Sequence, residues 1–281
     1  MGHFELSWQT ADGLHLFSQG WEPESDIQAV ICLVHGLGEH SGRYNILAAR
    51  LIQEGYALMG FDLRGHGKSQ GQRGHTPAFD FFMQDIAQFL DQAAKRYPLS
   101  PLFLYGHSLG GILVLNYVLR ERPELSGVIA TGAGLRTVLE KQHLKIAFAR
   151  LAGALIPQLS LPSGLDADMI SRDIAIVQAY RNDPLVHDRA TLKMANECFQ
   201  SIPWAFEHAS DFPTVPLLLM HGTGDQVAYY QGSQEFAAGV PGDCTLKLWD
   251  GFYHEIHNEP EKSQVFDYLI AWLNEKCPSK S

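Results

Sequence analysis

Several features that would indicate a membrane span, export or a metal site are missing from this 281-residue sequence. No run of about 18 apolar residues occurs, so we expect no transmembrane helix. The N-terminal residues show no basic start followed by an apolar stretch, so we expect no secretory signal. The four cysteines are widely spaced and match no metal-ligand pattern. We expect reduced thiols in a cytoplasmic protein, with Cys32 in the core of a strand.

Positive charge is also scarce. Lys and Arg number 21 against 31 Asp and Glu, which gives a net charge of −10. Such a chain repels polyanions on average, so nucleic acid is not expected as a partner. The sequence contains no P-loop and no dinucleotide-binding fingerprint, and we predict neither a cofactor nor a metal. What the sequence does contain is the ordinary composition of a globular protein, with 46% hydrophobic and 19% charged residues.

Strand and helix patterns alternate along most of the chain. The Asp12-Gly13 turn predicts an antiparallel hairpin over residues 4–17. Continuous apolar runs predict strands buried on both faces, at residues 29–34, 57–61, 101–105, 128–131, 215–220 and 245–249. Helical patterns lie between them, at residues 44–53, 77–97 and 112–121, and a last one spans 259–275. This order predicts an α/β fold with a mostly parallel central sheet covered by helices.

The alternation breaks between residues 135 and 212, which show helical periodicity and no convincing strand. A block of roughly 75 residues is too long for an ordinary connection. We predict a helical cap at 135–212, inserted after the sixth strand, on a core formed by residues 1–134 and 213–281. The basic and apolar residues from Arg136 to Ile156 are typical of a segment that meets an anionic lipid surface. The alternative, which we favour, is that its apolar side is buried within the protein.

The segment GHSLGG at residues 106–111 follows a predicted strand and opens a predicted helix. This is the G-x-S-x-G nucleophile elbow of the α/β-hydrolase fold, in the context that the motif requires. Glycines flank the serine because a Cβ there would clash with neighbouring backbone in so tight a turn. The N-terminus of the following helix favours developing negative charge. We therefore predict an α/β-hydrolase fold with Ser108 as the nucleophile.

A serine hydroxyl needs a base, and the base needs an orienting carboxylate. In this fold the chain order is Ser, then Asp or Glu, then His, each in a loop after a strand. Asp225 follows the predicted strand that ends at Met220, and His254 follows the one that ends at Trp249. We predict Asp225 as the acid and His254 as the base. The alternative for Asp225 alone is an aspartate that caps a turn.

Thirteen histidines make the choice of base a real question. His107 is adjacent to Ser108, and neighbouring side chains on the elbow point apart. Three others lie in turns after strands and are interpreted as structural, namely His35, His66 and His221. His257 remains as the alternative base, and His254 is favoured because it lies closer to the strand end.

The tetrahedral intermediate of acyl transfer carries a negative oxygen that needs preorganised donors. One donor should be the backbone N–H of Leu109, the residue after the nucleophile. The other is assigned to the N–H of Leu37, in the HGLG segment at residues 35–38. The glycines on either side of Leu37 let the loop aim this group inward. An ordinary glycine-rich turn is the alternative for this segment.

Five segments together resemble the monoacylglycerol lipase and lysophospholipase-like group of the α/β-hydrolase superfamily. They are HGLGEHSGRY at 35–44, FDLRGHGKS at 61–69, the elbow at 106–111, NDPL at 182–185 and YHEIH at 253–257. The resemblance covers essentially the whole chain, including the position of the cap. It implies a serine esterase that cleaves the carboxylic ester of monoacylglycerol to glycerol and free fatty acid through an acyl-enzyme.

The resemblance also implies three residues that bind the glycerol head group, namely Glu39, Arg43 and His257. A glycerol head presents two hydroxyl groups, and a site that hydrogen-bonds them rejects substrates that lack them. Glu39 can accept such hydrogen bonds and Arg43 can donate them. The alternative is that Glu39 and Arg43 form a buried pair that holds the oxyanion loop, since buried charges are usually paired.

Two rival functions stay open at the level of the sequence. The first keeps the chemistry and changes the substrate, as in a lysophospholipase or a broad-specificity carboxylesterase. The second is a non-catalytic ligand-binding receptor on a hydrolase fold, against which the presence of Ser108, Asp225 and His254 argues. The expected partner is a small lipid ester, with transient membrane or micelle contact through the cap. No oligomeric state is predicted.

Overall fold

The computed structural model describes residues 2–24, 26–137, 153 and 155–277, and ten strands lie in these ranges. The strands are β1 (Gly2–Gln9), β2 (His15–Glu22), β3 (Ala29–Val34), β4 (Tyr56–Phe61), β5 (Leu102–His107), β6 (Gly127–Thr131), β7 (Ser160–Pro162), β8 (Arg189–Thr191), β9 (Leu217–Gly222) and β10 (Cys244–Trp249). Eight of them form one sheet in the order β1-β2-β4-β3-β5-β6-β9-β10. Within this sheet only the pairs β1–β2 and β2–β4 are antiparallel. The predicted mostly parallel sheet with an antiparallel hairpin at its edge is confirmed.

Helices cover both faces of this sheet. In the described ranges they are α1 (Asn45–Gln53), α2 (Phe79–Arg96), α3 (Leu109–Glu121), α4 (Ile174–Asn182), α5 (Leu192–Glu207), α6 (Tyr230–Gly239) and α7 (Lys262–Lys276). Helices α2 and α3 pack on one face, and α1 and α7 pack on the other. None of the helices described is both long and apolar enough to cross a membrane.

Strand β3 shows how the sheet is built between two apolar layers. Its odd-numbered residues, beginning with Ala29, face the layer formed with α1 and α7. Its even-numbered residues, including Cys32, face the layer formed with α2 and α3. All six residues are fully buried, as a continuous apolar run predicts for a strand covered on both faces. No disulfide joins the four cysteines, which all lie in the described part of the chain.

The segment between β6 and β9 contains α4, α5 and a small ribbon. Strands β7 and β8 pair antiparallel, with Ser160 opposite Thr191. The prediction of no strand in this segment was therefore wrong, because three residues are too few to show an alternating pattern. The sequence-predicted basic segment from Arg136 to Ile156 falls mostly on positions 138–152 and 154, outside the described residues.

This inserted segment is fixed to the loop that follows β3. The His187 N–H donates to the carbonyl of Gly38 at 2.8 Å, and the His40 ring lies 2.9 Å from the Asp183 carboxylate. Gly38 has φ +77°, and a Cβ on it would come within 2.2 Å of the His187 carbonyl oxygen. Only glycine fits such a conformation and such a contact. The insertion therefore braces the loop that carries Leu37.

Candidate active site

Ser108 lies at the turn between β5 and α3, in a backbone conformation that few side chains adopt. Its φ is 54° and its ψ is −114°. A Cβ on Gly106 would lie 2.3 Å from the carbonyl oxygen of Gly110, and one on Gly110 would lie 2.0 Å from that of Val34. Backbone strain of this kind persists only where the surrounding structure holds it, and it is frequent at functional sites. The elbow therefore needs glycine at both flanking positions.

The structure brings the predicted acid and base to the serine. His254 Nε2 lies 2.9 Å from the Oγ atom of Ser108, and His254 Nδ1 lies 2.7 Å from the Oδ2 atom of Asp225. The second carboxylate oxygen, Oδ1, accepts the backbone N–H groups of Val227 and Ala228 at 2.8 and 2.9 Å. The carboxylate is thus oriented by the turn that follows it. This geometry allows His254 to take the hydroxyl proton of Ser108.

The charges in this row of residues support the same chemistry. Burial alone would lower the pKa of His254, but the charge and hydrogen bond of Asp225 raise it above its ordinary value. Burial alone would raise the pKa of Asp225, but the neighbouring His254 and His221 bring it well below its ordinary value. Asp225 is therefore ionised at neutral pH and stabilises an imidazolium on His254.

His221, which the sequence analysis treats as structural, contacts the acid directly. Its Nε2 atom lies 3.1 Å from Asp225 Oδ2 and 2.9 Å from the carbonyl oxygen of Ala228. Both of these atoms are acceptors, so Nε2 carries the proton and Nδ1 accepts from the hydroxyl of Ser233 at 2.8 Å. His221 thus gives Asp225 a second histidine partner. Its spacing of four residues from Asp225 is the only sequence signal of this contact.

The two predicted oxyanion donors lie at the expected places in the fold. Leu109 is the first residue of α3, and the first four N–H groups of a helix have no partner within it. Leu37 lines the cleft beside Ser108. The neighbouring Gly36 is so close that a Cβ on it would lie 3.1 Å from the Cβ of Ser108. Its N–H donates to Glu39 Oε1 at 2.7 Å, which holds the loop in place.

Arg43 lies between two buried carboxylates at the edge of the site. Its Nη1 donates to Glu39 Oε2 at 2.8 Å and to Glu255 Oε1 at 2.6 Å, and its Nη2 donates to Glu255 Oε2 at 2.7 Å. The Tyr44 hydroxyl donates to Glu39 Oε1 at 2.8 Å, and the guanidinium lies over the Tyr180 ring. Burial alone would raise the pKa of Glu255, but the Arg43 charge lowers it to about 2.

The structure places His257 behind this cluster. Its ring stacks on Tyr44 with 4.8 Å between ring centroids and meets the edge of His107 at 4.9 Å. It is buried, it is not among the residues that line the cleft, and burial lowers its pKa to about 4. Residues 256–258 form a short 3₁₀ turn, which directs Glu255 into the cleft and His257 beneath it. Glu255 was not predicted as a site residue from the sequence.

Residues of both the core and the insertion line the cleft above Ser108. Ten residues line it, namely Gly36, Leu37, Glu39, His107, Ser108, Leu165, Ile170, Tyr180, His254 and Glu255. Three of these, Leu165, Ile170 and Tyr180, come from the insertion. Across residues 2–24, 26–137, 153 and 155–277, no group of three or more His, Cys, Asp or Glu side chains is placed to hold a metal ion.

Known proteins are similar to this chain along most of its length. The family described as "Serine aminopeptidase, S33" matches residues 25–261. An uncharacterized abhydrolase domain-containing protein of Dictyostelium discoideum is 36% identical over 95% of this chain, which spans 28% of that protein. A monoacylglycerol lipase of Mycolicibacterium smegmatis is 32% identical over 96% of each chain. The crystal structure of Paleococcus ferrophilus monoacylglycerol lipase superposes with a TM-score of 0.83 at 33% identity, covering 98% of this chain and 100% of that one.

Proposed function

Because the chain belongs to the serine aminopeptidase S33 family of α/β-hydrolases, we propose that it hydrolyses the carboxylic ester of monoacylglycerols. The family resemblance inferred from the sequence, the α/β-hydrolase fold and the serine hydrolase class are confirmed. The choice of monoacylglycerol is supported by full-length similarity to two monoacylglycerol lipases. The observation that carries the proposal is the hydrogen-bonded row of Ser108, His254 and Asp225 beneath a cleft.

The proposed reaction runs in two halves. His254 takes the proton of Ser108 as Oγ attacks the ester carbonyl carbon, and the resulting oxyanion is held by the N–H groups of Leu37 and Leu109. Collapse of this intermediate breaks the ester bond, and His254 gives its proton to the glycerol oxygen that leaves. Water then attacks the acyl-enzyme with His254 again as base, which releases the fatty acid and restores Ser108. Asp225 holds the imidazolium in both halves.

Glycerol binding is proposed at the cluster of Glu39 and Arg43, with His257 behind it. Both ring nitrogens of His257 are buried and have no hydrogen-bond partner among the described residues. Buried polar atoms are seldom left without a partner, so we propose that these nitrogens take part in binding a polar head group, through a bridging water because His257 does not line the cleft. The buried-pair alternative from the sequence also holds, since Glu39 and Arg43 are joined at 2.8 Å. The two roles are compatible.

We propose that residues 135–212 act as a cap that admits the acyl chain and then excludes bulk water. Its support is the position of Leu165, Ile170 and Tyr180 over the nucleophile. We further propose that the cap contacts lipid surfaces transiently. Most of the exposed large apolar side chains among the described residues lie in this segment, namely Leu155, Ile156, Leu159, Leu161 and Ile174. A cytoplasmic location with peripheral membrane contact stays a prediction.

The lipid contact is tested by co-sedimentation with phospholipid vesicles. Replacing Leu155 and Ile156 together by serine should reduce the bound fraction, because binding scales with the apolar area that is inserted. The matched control is Leu99→Ser, since Leu99 is 96% exposed and lies outside the insertion. Equal binding by all three proteins would contradict the proposal.

The catalytic proposal is tested with the purified protein and two reagents. A fluorophosphonate probe should label the wild type and not Ser108→Ala, because it reacts only with an activated serine. Hydrolysis of 1-acylglycerol, diacylglycerol and lysophosphatidylcholine with the same acyl chain should then be compared by measuring the fatty acid released. A labelled protein that prefers either of these two substrates would overturn the monoacylglycerol assignment, and an unlabelled protein would overturn the enzyme mechanism.

A further inference from the structure

The polar end of the cleft carries an excess of negative charge. Glu39 and Glu255 both line the cleft, and the residues described in its lining include no Lys or Arg. Arg43 is the cation between the two carboxylates, so the three side chains together carry one net negative charge. Glu39 accepts hydrogen bonds from Arg43, the Tyr44 hydroxyl and a backbone N–H, as an ionised carboxylate does.

Arg43 is not placed to neutralise an anionic ligand. Three of its guanidinium hydrogen bonds go to the two carboxylates, and its flat face lies 4.7 Å from the centre of the Tyr180 ring. Its side chain is only 9% exposed. Turning Arg43 toward a phosphate would leave buried carboxylates without their cation, which is strongly unfavourable.

Glu255 is held firmly in this position. Besides Arg43, its Oε2 atom accepts the Asn258 side-chain amide at 2.8 Å. Its backbone N–H donates to the carbonyl of Ile170, in the insertion, at 2.7 Å. Glu255 lines the same cleft as Ser108, so its charge faces a substrate that is bound there. A rigid, buried charge beside a substrate discriminates more strongly than an exposed one, because solvent screens it less.

We propose that Glu255, together with Glu39, is a specificity determinant that restricts the site to acyl esters with an uncharged or cationic head group. Esters whose head group carries a phosphate monoester, such as lysophosphatidic acid, are rejected by repulsion from this cluster. The inference rests on the proposed function, because it assumes that the head group binds beside Glu39 and Arg43. The negative charge of this cluster would favour monoacylglycerol over the anionic lysophospholipids. Resemblance to the lysophospholipase-like group does not decide between these two substrate classes.

The expected discrimination is large enough to measure. Two unit charges about 8 Å apart, at an effective dielectric constant of about 20, change a binding or activation equilibrium about thirtyfold. The wild type should therefore cleave 1-acylglycerol about thirtyfold better in kcat/KM than 1-acylglycerol 3-phosphate with the same acyl chain. An acylcholine of that chain should be cleaved at least as well, relative to its intrinsic reactivity, as the neutral ester.

The test measures kcat/KM for these three substrates in micelles of an uncharged detergent. Glu255→Gln keeps the shape and one of the two acceptor oxygens but removes the charge. It should lower the ratio of kcat/KM for the neutral substrate to that for the anionic substrate about tenfold or more, toward one. The matched control is Glu259→Gln, which removes a buried charge from the same loop outside the cleft lining. Its ratio should stay at the wild-type value, which excludes an effect of net charge alone.

Each outcome decides between the two proposals. A wild type that cleaves neutral and anionic esters equally well overturns the inference and leaves the proposed function standing. The same holds for a Glu255→Gln variant that folds, cleaves 1-acylglycerol and keeps the wild-type ratio. If Glu255→Gln does not fold, the wild-type ratios alone decide. A wild type without activity on 1-acylglycerol overturns the proposed function, and this inference falls with it.

Discussion

Replacing Asp225 by asparagine changes one atom of the site and should nearly abolish turnover. The Oδ1 position accepts two backbone N–H groups, so the asparagine must place its carbonyl oxygen there. Its NH₂ group then faces His254 Nδ1 and can only donate to it. His254 is thereby driven into the tautomer with its proton on Nε2, the atom 2.9 Å from Ser108 Oγ. In that form it cannot take the serine proton.

The size of the loss follows from the same geometry. The imidazolium that forms on His254 loses a carboxylate that lies 2.7 Å away and is buried. Two opposite unit charges about 4 Å apart, at an effective dielectric constant of about 20, attract each other by about 4 kcal/mol. Losing this attraction in the transition state lowers the rate roughly a thousandfold. The wrong tautomer adds to this, so kcat should fall about 10³- to 10⁴-fold, with KM nearly unchanged.

The assay is the steady-state hydrolysis of a p-nitrophenyl ester, with Asp250→Asn as the matched control. Asp250 also follows a strand and accepts a hydrogen bond, from Thr223, but it is exposed and does not contact His254. The control should keep wild-type kcat. A folded Asp225→Asn enzyme with more than about a tenth of wild-type kcat would refute the reasoning, because the carboxylate would then be dispensable.

Three further predictions concern the same site. Ser108→Ala should lower kcat by at least about a thousandfold while thermal unfolding stays at the wild-type temperature, and retained turnover would refute the nucleophile assignment. His257→Ala should weaken hydrolysis of monoacylglycerol about tenfold to a hundredfold more than that of a p-nitrophenyl ester, which has no glycerol hydroxyls; equal losses would show general support of catalysis. Because the pKa of His254 is raised above 6.5 and the base must be neutral, kcat/KM should be full at high pH and fall as pH drops through that raised pKa. A pH profile whose acidic midpoint lies below 6.5 would contradict the raised pKa.

Much of the fold could be predicted because its signals are local. Continuous apolar runs and the elbow around Ser108 depend on residues that are close in the sequence, and the helix of 15 residues at the C-terminal end shows its own pattern. The order of Ser, Asp and His then directs attention to Asp225 and His254. For this reason the sequence alone points to the residues that form the hydrogen-bonded row.

The remaining features depend on contacts between distant parts of the chain. Glu255 pairs with Arg43, which lies 212 residues away in the sequence, and no local sequence pattern predicts such a pairing. The orientation of His257 depends on a short turn whose direction is fixed only by packing. His221 could have been recognised as a partner of Asp225 only by knowing that the turn after β9 brings the Asp225 carboxylate back to the His221 ring at the end of that strand. These are tertiary properties, and charge or spacing alone does not determine them.

The tight contact between Gly38 and His187 has a consequence for engineering. A chimeric hydrolase can be imagined as a constant catalytic core that receives interchangeable lids. Here the backbone N–H of His187, in the insertion, donates to the carbonyl of Gly38, in the loop that carries Leu37, at 2.8 Å. No side chain fits between the two backbones. A transplanted insertion with a different path at His187 would shift the loop that carries Leu37, the proposed oxyanion donor, and would then change the rate for every ester alike. The loop that contains Gly38 must therefore be transferred together with the insertion.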